Sequence, residues 1–254
     1  MDFTLYIYKR LLEVLKENGY SFYTFEDYCN GNASGKYVIL RHDVDLKVSQ
    51  SVATARIEAE AGIRASYFFR VVPESNQPDK IKAIASLGHE IGYHYEDLSI
   101  FGGRTEKAIV HFSDQLEYFR QFYPVKTICM HGSPTSKFDN RSIWKQYNYR
   151  DYGIIGEPYF DVNFDEVFYI TDTGRRWDGD RYSVRDKVNS GFKNRYRNTQ
   201  DIIWALKNGT LPDKLMITTH PQRWTNNPVN WGTEFVLQNI KNLIKGLIIK
   251  KRNK

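Results

Sequence analysis

The sequence predicts an α/β fold with a largely parallel sheet, long enough at 254 residues to close into a barrel. Three observations carry this expectation. From Tyr37 onward, apolar runs of strand character alternate with segments of helical period, the mark of βαβ units. Neither an internal repeat nor a Pro/Gly/Ser-rich linker interrupts them, so residues 1–254 are expected to form one domain. Several of the strands also end in a group able to bind a metal or carry a proton. Parallel barrels gather such strand ends on one face.

Taken in order, MDFTLYIYKRLLEVLKENGYSF reads as an amphipathic helix carrying Tyr8, Leu11, Leu12 and Leu15. YVILRHDVDL, residues 37–46, is the first strand and the most informative stretch. Its apolar run leads into Arg41, His42, Asp43, Val44 and Asp45. In an extended backbone Asp43 and Asp45 face one side and His42 the other. Two like charges held side by side repel and lose hydration. A cation, or a task needing one acid and one base, would offset that cost. LKVSQSVATARIEAEAGI follows as a helix ending near Gly62, then RASYFFRVV as a strand, then Asp79 to Leu87 as a short helix stopped by Gly88.

HEIGYHYE is predicted as a strand rather than a zinc-protease helix. The H-E-x-x-H pattern needs histidines four apart, whereas His89 and His94 are five apart with Gly92 between them. On this strand Glu90, Gly92, His94 and Glu96 share one face, and His89 on the other is expected to be structural. Arg104 to Tyr123 is a long amphipathic helix in which His111 serves packing or the surface. VKTICMHGSP is a strand delivering His131, and DNRSIWKQY is a short helix. After a loop-rich region come the strand EVFYITDTGRRW, the helix RNTQDIIWALKNG, the strand LMITTHP ending in His220, and the helix EFVLQNIKNLIKGLI.

A hydrophobic content of 41% and a charged content of 26% describe a soluble globular protein. No window approaches the roughly 18 apolar residues of a membrane span. The N-terminus lacks the basic start and continuous apolar core of a signal peptide. With only two cysteines, Cys29 and Cys129, a reduced and cytoplasmic setting is expected. The net charge of +6 is partly local, since KNLIKGLIIKKRNK holds five lysines and one arginine. A packed terminal helix with a solvated basic tail is expected there, with weak contact to a membrane surface as the alternative. Without an aromatic-basic motif, no nucleic-acid partner is expected.

In the order of its motifs the chain resembles the polysaccharide deacetylase superfamily, carbohydrate esterase family 4, over roughly residues 38–224. ILRHDVD matches the family's aspartate pair in its spaced form, GHEIGYH matches its second motif, and LMITTHP matches its late strand. The resemblance implies a distorted (β/α) barrel of about seven parallel strands, the NodB-homology fold. It also implies Asp43 as general base, Asp45 and His94 as ligands of one divalent metal ion, and His220 as general acid. The family's second metal histidine falls on Leu98 here. His131 is the expected replacement because it preserves two nitrogens and one oxygen around zinc, and Glu96 is the alternative third ligand.

The implied substrate is the N-acetyl group of a sugar or glycan precursor, in a branch associated with surface-polysaccharide biosynthesis. Arg175 and Trp177 are candidates to bind it, a tryptophan stacking on a sugar face and arginine engaging acidic groups. Tyr95 joins them, and Glu157 and Tyr159 are placed near the site on weaker grounds. Two other readings stay open: hydrolysis of a different C–N amide, and a catalytically degenerate carbohydrate-binding or assembly protein, for which Leu98 is the sign.

Overall fold

The computed structural model describes residues 1–132, 136–178 and 188–252, with side chains through Ile244 in the last helix. The elements in order are α1 (Leu5–Glu17), β1 (Ser21–Tyr23), α2 (Phe25–Cys29), β2 (Tyr37–Val44), α3 (Val48–Glu60), β3 (Ser66–Phe69), α4 (Pro78–Ser86) and β4 (Glu90–Tyr95). There follow α5 (Asp97–Ile100), α6 (Thr105–Arg120), β5 (Ile128–Met130), α7 (Pro158–Asp161), β6 (Phe168–Thr171), α8 (Thr199–Lys207), β7 (Lys214–Thr219) and α9 (Pro228–Arg252). Short 3-10 turns occupy Asn140–Lys145 and Pro221–Arg223, among others.

Among the described residues the strands form one seven-stranded parallel sheet in the order β5-β4-β3-β2-β7-β6, with β1 added to β2. β5 and β6 are the open edges of that order, and the sheet curls into a distorted half-barrel. β2 is buried along its whole length, as a strand covered on both faces must be. Its alternate residues enter two cores. Val38 and Leu40 join Tyr67, Phe69, Ile91 and Tyr93 beneath the helices, while Ile39 joins Phe68, Cys129 and Met216 on the inner side. Burying each such side chain contributes about 1.5–3 kcal/mol.

The inner side is tight. A Cβ at Gly92 would come within 2.4 Å of the Phe68 ring and 3.0 Å of the Thr127 carbonyl oxygen, so only glycine fits at this position of β4.

Several boundaries differ from the sequence expectation. The first helix stops at Glu17, and Ser21–Tyr23 becomes β1, in register with Tyr37–Ile39. A three-residue strand is too short to show a period of two. α2 then starts from a capping box, in which Thr24 and Asp27 satisfy each other's backbone N–H groups. β6 stops at Thr171, because the chain turns there and places Arg175 at a φ of 57°, incompatible with a strand. DNRSIWKQY forms a 3-10 turn, and the last helix begins earlier than expected, at Pro228.

Candidate metal centre

The site forms at the C-terminal ends of β2, β4, β5 and β7, with β3 between β2 and β4. Register brings this about: His94 pairs with Cys129, and His42 with Thr219, so Asp43 and His220 follow one step on. Asp45 lies just past β2 and His131 just past β5, the latter fixed by its backbone N–H donating to the Tyr95 carbonyl at 2.9 Å. His42 turns to the opposite face, as alternation requires. There it stacks on Tyr67 and approaches the buried Glu58 carboxylate at 2.7 Å.

Asp45, His94 and His131 present one ligand atom each, all within 4.8 Å of one another. His94 Nε2 is 3.7 Å from Asp45 Oδ1 and His131 Nε2 is 3.6 Å from the same oxygen, too far for hydrogen bonds and close enough for ligands of one ion. Asp45 Oδ1 is shielded from solvent and has no hydrogen-bond partner among the described residues. A buried carboxylate oxygen left without a donor is available to a cation. The remaining imidazole nitrogens are occupied: His94 Nδ1 faces the Cys129 carbonyl at 2.9 Å, and His131 Nδ1 faces Glu96 Oε2 at 2.9 Å. With Nδ1 carrying the proton, each Nε2 offers its lone pair to the centre. These residues therefore fit a divalent ion.

Asp43 lies 3.8 Å from His94 Nε2 and accepts two hydrogen bonds from Arg41, at 2.8 and 2.7 Å. His220 Nε2 lies 3.9 Å from Asp45 Oδ2, while its Nδ1 sits 2.6 Å from Asp172 Oδ1. Arg223 and Trp224 also donate to the Asp172 carboxylate, at 2.6 and 2.8 Å, which fixes it.

The charges follow from these contacts. Burial raises the Asp43 carboxyl, but Arg41, His94 and His220 outweigh it and hold Asp43 below the ordinary value. Asp45 is likewise depressed, burial being outweighed by His131, His220 and His94. Burial lowers His94 to about 4, against the pull of Asp43. It is therefore neutral near pH 7, the form that ligates a metal. For His131 burial is overcome by the Glu96 hydrogen bond and the Asp45 and Glu96 charges, so its pKa is raised.

Glu96 stands behind His131 rather than facing the centre. One oxygen takes the His131 ring and the other takes Arg70, so both are occupied away from Asp45. Leu98, on α5, is buried in the core.

The expected substrate-binding residues do not gather here. Trp177 is only 4% exposed, packs near Trp224, and donates from Nε1 to Thr199 at 2.9 Å, so it cannot stack on a sugar. Arg175 is 9% exposed and lies over Trp231 beneath α9. Tyr95 is fully buried against Phe112 and Trp144, on the outer face of β4. Alternation turned its ring away from the face that carries His94. Part of the Thr171–Arg181 stretch lies outside the described residues.

His89 is structural, accepting from the Ala65 N–H and facing the Ala55 carbonyl, and His111 pairs with Asp97. Tyr159 does come near, its ring 5.4 Å from the Arg41 guanidinium, whereas Glu157 is buried under β5.

Sequence reasoning passed over Arg41, Asp172, Arg223 and Gln222, whose Nε2 donates to Asp45 Oδ2 at 3.3 Å. Arg41 had a local signal, because residues two apart on a strand share a face. Asp172 had only its place after β6, beside β7.

No known family profile matches the sequence, and no curated protein matches it. Solved structures with a similar chain course exist. One is a family 4 carbohydrate esterase from Streptomyces lividans in complex with acetate, at 18% identity over 84% of this chain and 91% of that one, with a TM-score of 0.42. Another is a mutant of the peptidoglycan deacetylase PdaC from Bacillus subtilis, at 11% identity over 87% and 94%, also with a TM-score of 0.42. A third is a family 4 pseudoenzyme from Bacillus anthracis, at 13% identity over 83% and 66%, again with a TM-score of 0.42.

Proposed function

We propose that the chain is a metal-dependent hydrolase that removes the N-acetyl group from a sugar or glycan precursor. One observation carries the reading: Asp45, His94 and His131 meet from three strand ends, with Asp43 and His220 beside them. A divalent ion held by these three, zinc by the softness and number of the donors, would polarise the acyl carbonyl and acidify water.

The chain's own residues supply the rest. Asp43 is ionised at neutral pH and takes the proton of the attacking water. Arg41 fixes its carboxylate by two hydrogen bonds and keeps it anionic. His220, oriented by Asp172, gives a proton to the departing sugar amine as the C–N bond breaks, leaving acetate and a free amino sugar. The motif resemblance favours an N-acetyl substrate and a role in surface-polysaccharide biosynthesis. The scarcity of cysteine favours the cytoplasm as its place.

The test is elemental analysis of freshly purified protein beside an Asp45→Ala control, followed by acetate release from N-acetylated glycans. About one equivalent of metal, lost in the control, together with acetate release, is the expected result. A folded protein that holds no metal after reloading would sink the proposal and favour the degenerate carbohydrate-binding alternative.

A further inference from the structure

The last helix is turned inside out. On the side of α9 facing the body lie Glu234, Gln238 and Asn242, all buried and all polar. Facing solvent are Val229, Val236, Leu237, Ile240, Leu243 and Ile244, with Leu243 72% exposed. Their spacing follows the helical repeat, so they form one stripe along the axis.

Polar contacts hold the helix in this orientation. Asn242, itself held within the helix by Gln238 at 2.8 Å, donates to the Gly174 carbonyl at 2.9 Å, and the Trp231 indole donates to the Asp2 carbonyl at 2.7 Å. Arg175, buried beneath the helix, stacks on Trp231 at 4.7 Å. An ordinary surface helix buries its apolar stripe and shows its polar one. A stripe of this length facing outward marks a contact surface.

Charge selects the occupant. From Phe235 to Lys254 the sequence holds five lysines, one arginine and no acidic residue. A second copy would bring these cations against their like, whereas an anionic bilayer offers opposite charge above an apolar interior. No described helix is long and apolar enough to cross a membrane, which leaves α9 to lie in the interface plane. We propose that α9 docks the protein on an anionic lipid surface, apolar stripe inward. This proposal is independent of the metal centre.

The test is cosedimentation of the full chain with vesicles of phosphatidylcholine alone, or with about a third phosphatidylglycerol. Binding to the anionic vesicles is expected, weakened roughly 10-fold on neutral ones or at high salt. The double variant Ile240→Glu, Leu243→Glu should lose roughly 10-fold in binding with its unfolding temperature unchanged, since both side chains are exposed. Absence of cosedimentation, or undiminished binding of the variant, would overturn the proposal. So would ultracentrifugation showing a dimer that this variant splits without altering lipid binding, which would assign the stripe to contact between copies.

Discussion

Glu96 Oε2 lies 2.9 Å from His131 Nδ1, and that contact settles which of the two residues faces Asp45. The carboxylate orients the ring from behind, so His131 Nε2 points at Asp45 Oδ1, 3.6 Å away. Such outer partners fix the tautomer and raise ligand basicity. Glu96→Ala should therefore weaken metal affinity by ~10- to 100-fold while leaving the three inner residues in place. Titration against a chromogenic chelator checks this; unchanged affinity would remove Glu96 from the site.

Asp45 and Asp43 should separate binding from turnover. Asp45→Ala should abolish metal binding, whereas Asp43→Asn should keep the metal and lower kcat by about 10²–10⁴-fold, read from metal content beside acetate release. Asp43→Asn also leaves the buried Arg41 without its counter-charge, at a cost of about 3 kcal/mol. Rates should be compared well below the unfolding temperature of the variant. Asp172→Asn should slow turnover through His220 with metal content intact.

Trp177 is a packing residue. Trp177→Ala should destabilise the fold by about 3–5 kcal/mol, visible as a lowered unfolding midpoint, with KM for the glycan unchanged. A raised KM with an unchanged midpoint would restore the sugar-stacking role.

Glu157 should make stability depend on pH. Burial pushes its carboxyl up to about 7, against the backbone N–H groups of Met130 and Tyr159 that donate to it. A carboxyl raised in the folded state contributes stability fully below its unfolded value. That contribution is lost as pH rises toward 7, on the order of 3 kcal/mol in all. Denaturant titrations from pH 4.5 to 7 should show this slope in the wild type and not in Glu157→Gln. Parallel slopes would refute the assignment.

Much of this was legible in the chain. Alternation of period showed the parallel sheet, and the run from Tyr37 to Asp45 showed where its chemistry would end, because a strand's period of two places Asp43 and Asp45 together whatever surrounds them. The same rule put His94 and Glu96 on one face and His89 on the other. What failed was burial. Trp177, Arg175 and Tyr95 carry side chains suited to a sugar, but suitability does not reveal which surface covers a ring.

The sequence by itself determined the order of strands and helices, the face each strand residue takes, and the residue types available to a metal. Only the tertiary structure decided that His131 and not Glu96 meets Asp45, that Asp172 stands behind His220, and that α9 keeps its apolar stripe outside. Local periodicity is a property of the backbone and can be read along the chain. Which strand neighbours which, and which helix face meets the body, depends on contacts between residues far apart in sequence, such as Asp172 with His220 and Gly174 with Asn242.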